Sequence, residues 1–319
     1  MKCTIAILLS LAFFSFGMMA CAAEYAWRCD ACGMEENTGT YCDSCGLARP
    51  ASNFATLDDL YEAAMDVYRS GDFETAFGYF AFGAEQKHAE SLFGVGVCYM
   101  YGRSVEKSET VGAEYYLQSA KLGYDQAQYN LGKCYFYGDG VEQSYHQAEK
   151  FFLLAAGQGN VSAQAFLGYC YFEGAGVEQS YEKAYTYYRM AADNGDVYSQ
   201  VNIAQLYIFG LGVEQSYENA VKYFRLAADQ GDATALFNLG MSYENGNGIE
   251  QSYEEAVKYY RMAADEGNVY ALTRLGMCFE QGHGVELDVG KALDLYRQAA
   301  SLGDSEAEER LAQYDESVG

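Results

Sequence analysis

The sequence predicts an all-α protein, an α/α solenoid of about six to seven 36-residue helix-turn-helix repeats behind a small cysteine-bound module. Three observations carry that prediction. One phrase returns in register, as Val141-Glu-Gln-Ser-Tyr145, Val177-Glu-Gln-Ser-Tyr181, Val213-Glu-Gln-Ser-Tyr217 and Ile249-Glu-Gln-Ser-Tyr253. Glycine recurs at the same 36-residue step, at Gly102, Gly138, Gly174, Gly210, Gly246 and Gly282. The 319 residues hold 34 glycines but a single proline, Pro50, so almost nothing after it interrupts a helix. Acidic residues outnumber basic ones 45 to 20, a formal charge of -25 that repels phosphate backbones and excludes nucleic acid as a partner class.

The elements follow in chain order. Met1-Lys2 opens a positive start, Ile5 to Met19 is uncharged and apolar, and Ala20 and Ala22 supply the small pair of a cleavage site. Residues 1–22 therefore read as a secretory signal peptide. Cys21 as the lipidated first residue of a lipoprotein is the competing form. No later stretch is long and apolar enough to span a bilayer, so the expectation is an exported chain, periplasmic or secreted. In residues 24–50, Cys29, Cys32, Cys42 and Cys45 form two Cys-x-x-Cys-Gly turns, with nine residues between Cys32 and Cys42. Four thiolates so spaced close a tetrahedron around one structural Zn²⁺, and metal binding would supply the folding energy that so short a segment lacks. Two disulfides are the rival chemistry in an oxidising compartment. Either way the unit is closed and leaves no open position for catalysis. Residues 51–68 read as a linker and an N-terminal capping helix, with Leu57, Leu60, Tyr61, Ala64 and Tyr68 on one face.

Residues 69–319 form the array, ending in a capping helix. In one unit, Ser180 caps a helix that starts at Tyr181 and carries Ala184, Tyr187, Tyr188, Ala191 and Ala192 as its buried stripe. Gly195 ends it, and Asp196 caps a second helix whose inner face is Val197, Val201, Ile203, Ala204 and Tyr207. The sites equivalent to Tyr188 are all aromatic: Phe80, Tyr116, Phe152, Phe224, Tyr260 and Tyr296. That ladder reads as core. The last helix carries Glu306, Glu308, Glu309, Asp315 and Glu316, the wet outer face of a cap.

The repeat resembles the Sel1-like family of α/α solenoids. The resemblance rests on Ala220-Val-Lys-Tyr-Phe224-Arg-Leu-Ala227-Ala228, and on the stretch from Leu131-Gly132 to Gly138-Asp-Gly140-Val141. It covers roughly residues 70 to 314. It departs from the family at Ser144, Ser180, Ser216 and Ser252, where an acid is usual. Sel1-like proteins are similar to tetratricopeptide arrays and generally act as adaptors, so the resemblance implies a scaffold that holds a protein or peptide in a groove. The segment from Trp27 to Pro50 likewise resembles the short zinc-ribbon module found at protein termini. A cysteine-rich secreted branch of the Sel1-like family carries two bonded cysteines per repeat. Here one position holds Cys98, Cys134, Cys170 and Cys278, one per unit at most. Equivalent atoms of neighbouring units sit about 10 Å apart, beyond the roughly 7 Å a disulfide tolerates between α-carbons. They are expected as buried free thiols.

The remaining chemistry is thin. Gly-x-Gly recurs with the array and reads as a turn rather than a phosphate cradle. Ser-x-x-Lys occurs at Ser104 to Lys107 and Ser180 to Lys183, which keeps a secreted β-lactamase-like hydrolase as the alternative function. His88, His146 and His283 read as solvated, and Asn160-Val-Ser162 is a glycosylation sequon. Tyr198 and Tyr270 stand where other units have Gln126, Ser162, Thr234 or Glu306. They read either as partner-specificity positions or as cover for neighbouring units. The acidic, tyrosine-rich surface suits basic or apolar segments of a partner.

Overall fold

The computed structural model describes residues 48–318, with side chains as far as Tyr314. The proposed leader and Cys29, Cys32, Cys42 and Cys45 lie outside the described residues. After a short turn at Ala51–Asn53, the chain is a succession of helices. They are α1 (Leu57–Ser70), α2 (Phe73–Glu85), α3 (Ala89–Tyr101), α4 (Glu109–Lys121), α5 (Asp125–Tyr137), α6 (Tyr145–Gly157), α7 (Val161–Glu173) and α8 (Tyr181–Asp193). Then come α9 (Val197–Phe209), α10 (Tyr217–Ala228), α11 (Ala233–Asn245), α12 (Tyr253–Asp265), α13 (Val269–Gln281), α14 (Val289–Ser301) and α15 (Ser305–Val318). Packing runs almost wholly between helices consecutive in the chain, which is the connectivity of an α/α solenoid. The even-numbered helices are the first members of each pair.

Local chemistry sets the boundaries. Ser108, Ser144, Ser180, Ser216 and Ser252 each accept the amide three residues on, so serine performs the cap that an acid performs elsewhere. Asn160, Asp196, Asp232 and Asn268 do the same for the odd-numbered helices. The Gly-x-Gly turn resolves into two separate demands. Gly210 adopts φ +66 as the left-handed stop of α9, whereas a β-carbon on Gly212 would lie 2.3 Å from the carbonyl carbon of Tyr181. The first glycine ends the helix and the second lets the turn lie against the previous unit.

The aromatic ladder is core throughout: Phe80, Tyr116, Phe152, Tyr188, Phe224, Tyr260 and Tyr296 are all fully buried. Its partner is the glycine of the Leu-Gly pair. A β-carbon on Gly168 would lie 2.4 Å from the Tyr188 ring, and one on Gly240 would lie 2.5 Å from that of Tyr260. The ring of one unit therefore lies flat against the backbone of the unit before it. Three residues of the expected stripes, Tyr187, Val197 and Tyr207, are only half-buried. Tyr187 instead stacks on Tyr171 at 5.6 Å and 6°, and the same stacking recurs as Tyr135 on Phe151, Tyr207 on Tyr223 and Tyr243 on Tyr259.

The repeated glutamine also acquires a reason. Gln143, Gln179, Gln215 and Gln251 each donate to a carbonyl at the end of the preceding odd-numbered helix, at 2.6–2.9 Å. Each also donates to the tyrosine hydroxyl two residues on. The connection between units is thus pinned at both ends.

Candidate interaction surface

The even-numbered helices leave a common face in solvent. Between α8 and α10 a groove is lined by Tyr185, Arg189, Asp193, Asn219, Lys222, Tyr223 and Leu226 and floored by Tyr207. The Tyr185 and Tyr207 hydroxyls are hydrogen-bonded at 2.9 Å, and burial together with that bond pushes Tyr207 up to about 12. A shallower cleft on α6 is lined by His146, Glu149, Lys150, Leu153 and Leu154. The apolar residues of this face repeat every 36 positions: Leu154, Met190, Leu226 and Met262, each 38–49% exposed. Sequence reasoning passed over them because single apolar residues on a helix surface are ordinary; their common register was the available signal.

Tyr198 and Tyr270 occupy another part of the molecule, the first turns of α9 and α13, and the structure does not bring them together, since two units separate them. Tyr198 is 52% exposed and meets the buried Tyr188 ring edge-on at 6.0 Å. Tyr270 is 63% exposed, leans on Phe237 at 6.4 Å, and borders a cleft with Thr234, Glu266 and Leu302.

Ser180, Lys183, Lys107 and His88 are engaged structurally. Ser180 Oγ caps α8 and donates to Glu182, while Lys183 Nζ rests over the Tyr171 ring at 4.8 Å. Lys107 pairs with Glu109 at 2.8 Å, and that contact raises its ammonium pKa, the opposite of what a lysine base needs. His88 corrects the expectation of a solvated imidazole. Its side chain is 12% exposed, with Nδ1 2.9 Å from Ser91 Oγ and Nε2 2.9 Å from Asp58 and 3.1 Å from Glu90. This serine–histidine–aspartate chain has the connectivity of a hydrolytic triad. Ser91, however, is fully buried against Gly83, so its oxygen has no path to a substrate carbonyl. The chain ties α1 to α3.

His146 is exposed, and His283 stacks on Tyr253 at 4.3 Å. The sequon is closed too: Asn160 is buried, its Nδ2 donates to Asp125 at 2.8 Å and its Oδ1 caps α7, so the acceptor nitrogen is unavailable in the folded chain. Cys98, Cys134, Cys170 and Cys278 are buried free thiols. Burial pushes Cys98 up to about 11 and the other three up to about 12.

A chain of stacked helix pairs with repeated side chains left outward is a helical-repeat solenoid. The Sel1 repeat family model matches six consecutive windows, 89–124, 125–160, 161–196, 197–232, 233–268 and 269–304. The chain belongs to the Sel1 repeat family, whose members are generally protein-interaction scaffolds. Among solved structures it is similar to a protective antigen with this repeat fold, present in uropathogenic Escherichia coli strains. The two are 33% identical with a TM-score of 0.76, over 81% of this chain and 56% of the antigen. The chain therefore spans little more than half the length of that relative. It is also similar to a Sel1 repeat protein from Oxalobacter formigenes, at 29% identity and a TM-score of 0.64 over 75% of this chain and 96% of the other. No curated protein sequence matches the chain. No helix among the described residues is long and apolar enough to cross a membrane.

Proposed function

We infer that this protein is an exported scaffold that holds a protein or peptide partner on its solenoid surface, with no catalytic step of its own. The observation that carries this reading is the register of Leu154, Met190, Leu226 and Met262. Four units present the same exposed apolar side chain on one face, and apolar surface repeated in register suits contact with a partner. In this reading residues 1–22 direct export, and Cys29, Cys32, Cys42 and Cys45 hold one structural zinc in a ribbon. Tyr198 and Tyr270 add rigid contact area at the edge of the array.

Photocrosslinking residues placed on the array in the native host, read by mass spectrometry, test it. One protein partner recovered from several adjacent units is the expected result. Hydrolysis of a chromogenic β-lactam that is lost in Ser180→Ala would overturn it. The ribbon has its own test: one zinc per mature chain, lost in Cys42→Ser, against metal-free protein with all four cysteines oxidised.

A further inference from the structure

The charge of the chain is not spread evenly. On α6, α8, α10 and α12, the exposed residues of the middle turn are Lys150, Arg189, Lys222, Arg225, Lys258 and Arg261, interleaved with Leu153, Thr186 and the Leu154 to Met262 row. The one acid of these turns, Glu149 beside Lys150, is half-buried and accepts from the Tyr171 hydroxyl, in a chain with 45 acidic residues against 20 basic ones. Acids flank the belt instead. Asp193, Asp229 and Asp265 follow on one side, and Glu182, Glu218 and Glu254 precede it on the other.

The belt's cations are lightly held. Arg189 reaches Asp193 at 3.7 Å, Lys258 reaches Glu255 at 3.1 Å, and both pairs are exposed. Lys222 donates to Asn219 and Arg225 to the Tyr243 hydroxyl, both neutral groups. Exposed pairs of this kind contribute little, so exchanging them for a partner's carboxylates costs little.

We propose that the middle turn of α6, α8, α10 and α12 is a docking belt for an extended segment of a partner protein that alternates carboxylates with aliphatic side chains. This rests on the scaffold reading and reverses the expectation of a basic partner for this face. Charge complementarity selects the acid, and the Leu-Met row selects aliphatic neighbours. The geometry sets a spacing: neighbouring units repeat about every 10 Å, and an extended chain advances about 3.3 Å per residue. One carboxylate in every three residues therefore meets one unit after another. A single-stranded nucleic acid shares the negative charge but gains little from Leu154, Met190, Leu226 and Met262.

Fluorescence anisotropy of the full chain tests the proposal, with three labelled probes. They are a dodecapeptide with glutamate and leucine repeating in triplets, its lysine-for-glutamate counterpart, and a single-stranded oligonucleotide of equal length. The expected result is salt-sensitive binding of the acidic peptide alone. Arg189→Glu, Arg225→Glu and Arg261→Glu together would weaken it by about tenfold or more, as would Leu226→Ser with Met262→Ser in part. Circular dichroism melts confirm folding of these surface variants. Preference for the lysine peptide, tighter binding of the oligonucleotide, or no binding of the acidic probe overturns the belt. Indifference of the acidic probe to the triple variant does so as well. The scaffold reading fails separately: a partner crosslinked only outside the belt keeps the scaffold and discards the belt, whereas the β-lactam result discards the scaffold itself.

Discussion

Tyr188, Tyr260 and Tyr296 occupy one position of the repeat, yet their hydroxyls do not share one fate. Tyr260 donates to Glu244 and Tyr296 donates to Glu280 at 2.6 Å. The residue sixteen before Tyr188 is Phe172, which offers no acceptor, so the buried Tyr188 hydroxyl has no carboxylate partner and faces Tyr198 instead. A neutral hydroxyl pair contributes less than a hydroxyl on a half-buried carboxylate. Tyr188→Phe is therefore expected to change the unfolding free energy from urea titrations by about 1 kcal/mol or less, and Tyr260→Phe to lower it by about 2 kcal/mol. Equal losses in both would show that the rings, not the hydroxyls, decide. The thiols give a pH prediction. Their folded pKa values, about 11 to about 12, lie above the ordinary 9.0, so the folded chain binds their protons more tightly. The stability they contribute is intact below pH 9 and is lost as pH rises from 9 towards 12. Denaturation midpoints across that range should fall, and less steeply in Cys134→Ala with Cys170→Ala. At pH 8 a thiol reagent should modify these four only after unfolding.

At the scale of the element, the repeat couples two helices through a ring and a glycine. Gly240→Ala would put a methyl group 2.5 Å from the Tyr260 ring, so its expected cost is about 2 kcal/mol despite alanine's better helix propensity. In the equivalent slot of α9 the chain already carries Ala204, ahead of Phe224. Ala204→Gly should cost only about 1 kcal/mol, the propensity difference. Thermal melts of the two variants give the comparison, and a harmless Gly240→Ala would mean that the ring shifts freely. The helices, their serine caps and the aromatic ladder were legible in the sequence because each is local or strictly periodic. The Gln143 and Gln215 contacts were not, because their acceptors lie at Phe136 and Ile208, across a turn whose path the sequence leaves open. His88 was missed for a related reason: Asp58 lies 30 residues away, on a helix joined to α2 by only two residues. The exposed row on the even-numbered helices was visible as a period but not as a face, since the stacking of units alone puts those positions side by side.

At the scale of the whole molecule, the same stacking turns a periodic sequence into a periodic charge. Glu106, Glu142, Glu178, Glu214, Glu250 and Glu286 recur once per unit, all exposed, on the turns between units, four of them pinned by the glutamines. The net charge of -25 told of an acidic protein, but only the fold separates this carboxylate edge from the cationic belt on the helices beside it. Units about 10 Å apart place neighbouring carboxylates of the row at a similar separation. In water each such pair repels by roughly 0.4 kcal/mol, so five neighbouring pairs oppose folding by about 2 kcal/mol before screening. The Debye length is about 10 Å at 0.1 M salt, so ordinary ionic strength removes most of that repulsion. The melting temperature is therefore expected to rise between low salt and roughly 0.2 M sodium chloride, by a few degrees. Glu178→Lys with Glu250→Lys places opposite charges in alternate units, and it should raise the low-salt melting temperature while abolishing most of the salt response. A melting temperature that instead falls with salt would mean that exposed pairs such as Arg69 with Asp66 and Arg297 with Asp294, each at 2.9 Å, outweigh the row. Pairs so exposed contribute only a few tenths of a kcal/mol each, which is why the repulsion of the row is expected to prevail.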